Sequence, residues 1–262
     1  MSSVLRIFSY LPNPRVWKAE ITAKLIGKDL EIIGDKASEL GSWLWDFEAR
    51  KLDESEMNSE SPYARKSKRG FQGLLFKTDN FLKTQPFGTV PAAFSPDGTI
   101  GIFESNSILR AVARANKDHT LYGRNDYEAS RIDSFLDAGL VFSREAQVYL
   151  LEISKLKGDT YDRMKGAYEF YIEGIERSLQ NNNFLIGSEL SIADISFFCD
   201  FSQFLREGHY EEDLKKQKFK IISENLKNDF PKTFIHLYKI SEIEEVSSTI
   251  GSYLDWFKKK NS

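Results

Sequence analysis

The sequence predicts an α/β domain followed by an all-helical one. Three observations predict it. Short apolar runs of strand character alternate with helical patterns as far as Ala115, a polar connection follows from Lys117 to Asp126, and helical periodicity then continues almost to the carboxyl terminus without another strand. With 262 residues, 41 % of them hydrophobic, the chain is long enough for two modest cores. The expected boundaries are 1–116 for the first domain, with an insertion at about 35–80, and 126–262 for the second.

Val4 to Phe8 is rich enough in branched and aromatic residues to be a strand, and Pro12 and Pro14 punctuate the turn after it. A helix follows, since Val16, Trp17, Ala19, Ile21, Ala23, Leu25 and Ile26 form a wide apolar face and Gly27 sits where a C-cap glycine belongs. Leu30 to Ile33 returns as a second strand. Strand, helix and strand in so few residues make a βαβ unit with parallel strands. From Gly34 to Gln85 the pattern loosens, and Asp53 to Ser61 is especially poor in apolar residues. The flanks of this insertion, Trp43 to Leu52 and Phe71 to Leu82, are expected to be helical, with only the middle mobile. Val90 to Phe94 is the next strand; the turn Ser95 to Gly98 (SPDG) leads into a partner strand at Thr99 to Phe103, and a helix follows from Ser105 to Ala115. The first domain is thus βαβ and then ββα.

Beyond the crossing at Leu121 to Asn125, long helices are expected at Tyr127 to Leu156, Tyr161 to Leu179 and Ser191 to Arg206, with two or three shorter ones past Pro231. On the first of these, Phe135, Phe142 and Tyr149 face either a cleft or the core; periodicity does not separate the two.

Composition narrows the function. A formal charge of -3 gives no global reason to expect nucleic acid as a partner, and the basic run Arg65 to Arg69 (RKSKR) reads as solvated surface. No apolar run is long enough for a membrane span and no leader segment is evident, so an intracellular, cytoplasmic chain is expected. The single cysteine, Cys199, excludes an internal disulfide and reads as a buried thiol, and the scattered His119, His209 and His236 have no metal-ligand spacing, so no metal is expected.

Two motifs carry chemistry. In Phe87 to Pro91 (FGTVP), a proline enters a strand behind Thr89 and Val90. If the Val90–Pro91 bond is cis, the N–H and C=O of Val90 face outward and can pair with an extended peptide as an added strand would; otherwise Pro91 is an ordinary turn proline. In Glu104 to Ser107 (ESNS), Ser105 stands where a strand passes into a helix and can cap it. The helix end suits a carboxylate and Glu104 suits an ammonium, so a γ-glutamyl group would match the pair; the plainer alternative is a simple N-cap.

In order and spacing, Phe81 to Pro91 (FLKTQPFGTVP) followed by Phe103 to Arg110 (FESNSILR) resembles the glutathione-site half of cytosolic glutathione transferases. Phe184 to Asp194 (FLIGSELSIAD) resembles that family's helix-capping signature, in which Ser191 caps a buried helix and Asp194 reaches back to its first turn. Within the superfamily, Tyr10 to Ala19 and Ser134 to Asp137 (SFLD) most resemble the transferase-like domain of the gamma subunit of translation elongation factor 1, without its further carboxyl-terminal domain. The resemblance is absent across 35–80. It implies a thioredoxin-like first domain that binds glutathione as co-substrate through Thr89, Val90, Pro91, Glu104 and Ser105, a helical second domain that holds a hydrophobic electrophile, a homodimer, and a role in detoxification. A non-catalytic interaction module with the same fold is the alternative.

The family activates the glutathione thiol with a hydrogen-bond donor just after the first strand. There this chain offers Ser9 and Tyr10, and then Asn13, where thiol-type relatives hold cysteine. With no cysteine in the region, a mixed disulfide with the protein is not expected. A hydroxyl or amide donor to the sulfur is worth about one to three kcal/mol, up to about two pKa units. Arg15 either adds positive field near the sulfur or is a solvated surface residue.

Overall fold

A computed structural model of the chain describes residues 3–67 and 70–261. It divides into two compact units, Met1–Asn116 and Lys117–Ser262. In the first, Arg6–Tyr10 forms strand β1, Pro14–Leu25 helix α1 and Glu31–Asp35 strand β2. Pro14 opens α1, where a missing N–H costs nothing. β1 and β2 run parallel, from Arg6 opposite Glu31 to Tyr10 opposite Asp35. Gly34 permits this pairing: a Cβ there would stand 1.7 Å from the carbonyl oxygen of Ser9.

The insertion departs from expectation. Its flanks are strands rather than helices: Trp43–Trp45 is β3, Arg50–Lys51 is β4, Ala64–Lys66 is β5 and Leu74–Lys77 is β6. They build a second sheet in the order β4-β3-β6-β5, and Asp79–Thr84 forms the α-helix α2. The reason lies in packing. Trp43, Trp45 and Leu75 pack in one buried cluster with Leu40, with Phe8 of β1 and with Phe81 of α2. Alternating side chains of a strand serve such a cluster from one face, and tertiary burial overrides helical propensity. The middle of the insertion is also built: Glu54–Glu56 forms a single helical turn with a capping box from Asp53 and Glu56, and Arg50 grips the Glu56 carboxylate at 2.6 and 2.9 Å. Of the basic run, Lys68 and Arg69 lie outside the described residues.

Ala92–Phe94 then forms β7, Gly101–Ile102 forms β8, and Ser105–Ala113 forms α3. β7 runs antiparallel to β1, with Phe8 opposite Ala92, and β8 antiparallel to β7, giving the sheet order β2-β1-β7-β8. Ala92 and Phe94 belong to the same aromatic cluster as Trp45, so the two sheets of this unit share a core. α1 packs against α3.

The second unit is helical among its described residues. Its longest helices are α4 (Asp126–Glu152), α5 (Gly158–Ser178) and α6 (Ile192–Phe204). Asn125 caps α4 by accepting from the amides of Tyr127 and Glu128, both at 3.0 Å. Two short helices that periodicity did not predict follow, α7 (Glu211–Lys216) and α8 (Leu226–Asp229), before α9 (Pro231–Ser241), α10 (Glu244–Ile250) and α11 (Asp255–Asn261). Phe142 and Tyr149 belong to the core of this unit, where Phe142 stacks on Tyr171 at 4.7 Å, while Phe135 is half-buried beneath Arg131. Cys199 is fully buried. Asp194 accepts from the amides of Leu185 and Ser191 and from the Ser191 hydroxyl at 2.8 to 2.9 Å, which is the capping role expected of it.

Candidate functional site

The residues singled out near the amino terminus gather around the end of β1. The segment after β1 turns through a cis Leu11–Pro12 bond to Asn13, which caps α1: its side-chain oxygen accepts from the Arg15 amide at 2.9 Å. The other end of the same side chain donates to the Ser9 hydroxyl at 3.0 Å. Ser9 and Asn13 are both completely buried and bonded to each other, so the structure gives each a local structural partner. Tyr10 is half-buried and packs on the aromatic cluster that unites the two sheets.

A second group lies where β7 begins and β8 ends. The Val90–Pro91 peptide is cis. Pro91 is buried, Val90 half-buried and Thr89 exposed. Pro91 has no N–H, so the β1–β7 ladder stops at Ala92. Beyond that point the side chains of Tyr10 and Val90 pack on the same aromatic cluster. Among the described residues, no hydrogen bond reaches the N–H or C=O of Val90.

Pro91 precedes Ala93 by two residues and Glu104 follows its partner Ile102 by two, so Pro91 and Glu104 stand at the same end of the hairpin. Glu104 takes φ 66 and ψ 125, a backbone conformation that side chains other than glycine rarely adopt. The expectation that Ser105 caps α3 is corrected here: Glu104 occupies the cap position without a side-chain bond, and Ser105 is the first helical residue. The left-handed turn at Glu104 shifts the helix start by one residue, and the Glu104 carbonyl accepts from the Ser107 and Ile108 amides. The Ser105 amide, the first of α3, has no acceptor inside the helix. Ser105 is 7 % exposed, and neither its hydroxyl nor its amide bonds to another described residue. The Glu104 carboxylate is exposed and makes no ion pair with a described residue.

Two further polar residues touch this site without having been singled out from sequence. Lys18 of α1, buried to 1 % exposure, donates to Asn106 Oδ1 at 2.8 Å, in the first turn of α3. Lys77, the last residue of β6, donates to the Gly88 carbonyl at 2.7 Å. Its ammonium lies 4.6 Å from the centre of the Trp45 ring, and burial, with the charge of Arg65 adding to it, pushes its pKa down to about 8. Neither leaves a sequence signal, because a lysine on a helix or strand is by default solvated.

Among the described residues, no group of three or more His, Cys, Asp or Glu side chains is placed to hold a metal, and no helix is long and apolar enough to cross a membrane.

No protein-family model matches the chain. In sequence it is similar to elongation factor 1-gamma 2 of Oryza sativa subsp. japonica, at 30 % identity over 144 residues, which is 50 % of this chain and 32 % of that protein. The chain therefore spans about a third of the length of this curated relative. A solved glutathione transferase of Phanerochaete chrysosporium in complex with oxidized glutathione matches with a TM-score of 0.67 at 15 % identity, covering 98 % of both chains. A glutathione S-transferase from Methylobacillus flagellatus with glutathione bound matches with a TM-score of 0.64 at 13 % identity, covering 94 % of this chain and 98 % of that one. The chain has the glutathione transferase fold. Its resemblance to that superfamily, and within it to elongation factor 1-gamma, agrees with the motifs at Phe81 to Pro91 and Phe184 to Asp194.

Proposed function

We propose that this glutathione transferase-fold chain binds glutathione at the joint of β7, β8 and α3, and uses its thiolate on a hydrophobic electrophile. The observation that carries the reading is a set of unused polar groups at one end of the hairpin: the Val90 peptide, the Glu104 carboxylate, and the hydroxyl and amide of Ser105 at the start of α3. An extended peptide added at Val90 would satisfy the strand edge. Its α-carboxylate would take the hydroxyl and amide of Ser105 at the helix start, where the dipole favours negative charge, and its α-ammonium would pair with Glu104. Thr89 and Pro91 shape the same edge. Of the three candidate thiol activators, Tyr10 is the one that is not fully buried and shares a cluster with Val90, so the proposal gives it the donor role; Ser9 and Asn13 would support it from behind. A cytoplasmic homodimer is part of the same reading.

A second reading is a module that keeps the fold and the peptide edge for assembly with other proteins. It is favoured by the sequence similarity to elongation factor 1-gamma and by the burial of Ser9 and Asn13. Capture on immobilised glutathione, followed by turnover of a generic chloro-aromatic substrate, separates the two. The enzyme reading expects both, capture without turnover supports the module, and failure of capture overturns the placement of glutathione.

A further inference from the structure

The inserted sheet has no counterpart in the motifs that resemble the transferases, yet one of its side chains ends on the proposed peptide edge. Lys77 closes β6, reaches the loop that runs from α2 into β7, and donates to the carbonyl of Gly88, two residues before Val90. Three features make this contact a built one. The Lys77 stem and ammonium are held between the Trp45 ring and the loop. The Gly88 amide is tied on its other side to the Gln85 carbonyl at 2.8 Å. Gly88 itself takes φ 59, where a side chain would be strained, and a Cβ there would stand 3.1 Å from Leu82 and 3.4 Å from the Lys77 ammonium nitrogen, so glycine lets the loop backbone pack closely on Leu82 with the lysine in contact.

We propose that Lys77 is a positioning residue through which the inserted sheet fixes the 88–90 loop, and with it the direction in which Val90 offers its backbone to a peptide ligand. The insertion then acts as a brace for the site rather than as a separate binding element. β6 is anchored on both sides, by β3 in parallel register and by β5 antiparallel, and Phe76 and Leu75 beside Lys77 are buried. The ammonium therefore projects from a rigid base onto a segment with few other ties, which is the arrangement that transmits position.

The test has two arms, because its ligand arm rests on the glutathione reading while the brace does not. Lys77→Met keeps the stem against Trp45 and removes the donor; Lys77→Arg keeps a donor. Amide hydrogen exchange at Gly88, with Ile7 of the central strand as reference, should quicken about tenfold in Lys77→Met, as the loss of a charged hydrogen bond implies, and return toward the wild-type rate in Lys77→Arg. Glutathione titration should show a parallel weakening in Lys77→Met and recovery in Lys77→Arg. Unchanged exchange at Gly88 in a folded Lys77→Met overturns the brace. Quickened exchange in a chain whose wild type takes no glutathione upholds the brace and sinks the glutathione reading. If Lys77→Met fails to fold, Lys77→Gln is read by the same exchange measurement, with the same two outcomes.

Discussion

Single side chains at the hairpin end decide whether a zwitterionic peptide head has a place to sit. Glu104 and Ser105 could be singled out from sequence as candidates because an acid and a hydroxyl at a strand-to-helix junction are chemically specific, whereas the cap position itself went to Glu104 instead of Ser105. Replacing Glu104→Gln, or Ser105→Ala, should weaken glutathione binding by about one to three kcal/mol, as for a lost charged hydrogen bond, while the fold is kept. Isothermal titration checks it, and unchanged affinity in both variants removes the γ-glutamyl pocket from this position. The proposed thiol donor was less legible. A string of residues shows that Ser9 and Asn13 carry polar groups; only the folded chain shows that those groups meet each other at 3.0 Å in the interior. Lys77 was invisible for a related reason, since its partner is a backbone carbonyl eleven residues away. Its lowered pKa has a measurable consequence. Between pH 8 and the ordinary lysine value of about 10.4, the unfolded chain binds more protons than the folded one, so the lysine's contribution to stability rises as pH rises. The unfolding free energy of the wild type relative to Lys77→Met should therefore grow from pH 8 upward. Tyr149 and Tyr168, whose pKa values burial raises, act in the opposite direction at high pH but are common to both proteins and cancel in the difference. A flat or falling difference would mean that Lys77 stays fully charged across this range.

At the scale of elements, the strand, helix and strand that open the chain, the hairpin and the three long helices could be read from periodicity, because each buries one face and polar or turn residues close it. The β strands came out displaced by one or two residues, as at β1, where Val4 to Phe8 became Arg6 to Tyr10. The insertion could not be read. Its strands are two to four residues long, too short for alternation to register, and the parallel pairing that joins its two hairpins, Leu44 with Phe76, spans a long stretch of chain, so Trp43 and Trp45 looked like part of a helical face. In the folded chain Trp45 is 1 % exposed, meets Phe8, Phe71 and Phe81 edge-on with ring centres 5.6 to 5.9 Å apart, and donates its indole N–H to the Leu40 carbonyl at 3.0 Å. Trp45→Ala should consequently cost about 3 to 5 kcal/mol in chemical denaturation, as for a buried aromatic truncated in a packed core. A loss below about 0.5 kcal/mol, the range of surface substitutions, would show that the inserted sheet is an appendage and not part of the core of the first unit.

For the whole molecule, the fold leaves the choice between enzyme and module open, since one architecture can serve either and the function lives in the site. What separates them is the state of the bound thiol. A donor aimed at the sulfur stabilises the thiolate and lowers the thiol pKa by up to about two units, whereas a module that only grips the peptide has no reason to do so and leaves the thiol near about 8.5. Tyr10 is the candidate at the end of β1 that retains exposure, and it packs on the same cluster as Val90, where the peptide would lie. Glutathione titrated in the presence of excess protein, with thiolate followed by its ultraviolet absorbance, should ionise at lower pH than free glutathione, and Tyr10→Phe should return the midpoint to the free value with binding affinity largely kept. Conjugation of a chloro-aromatic substrate at neutral pH should fall in step with the thiolate fraction, about 25-fold if the thiol pKa returns by the full two units, because the thiolate is the nucleophile. If glutathione binds with an unshifted thiol in the wild type, the protein holds the peptide without activating it, and the module reading takes the place of the enzyme.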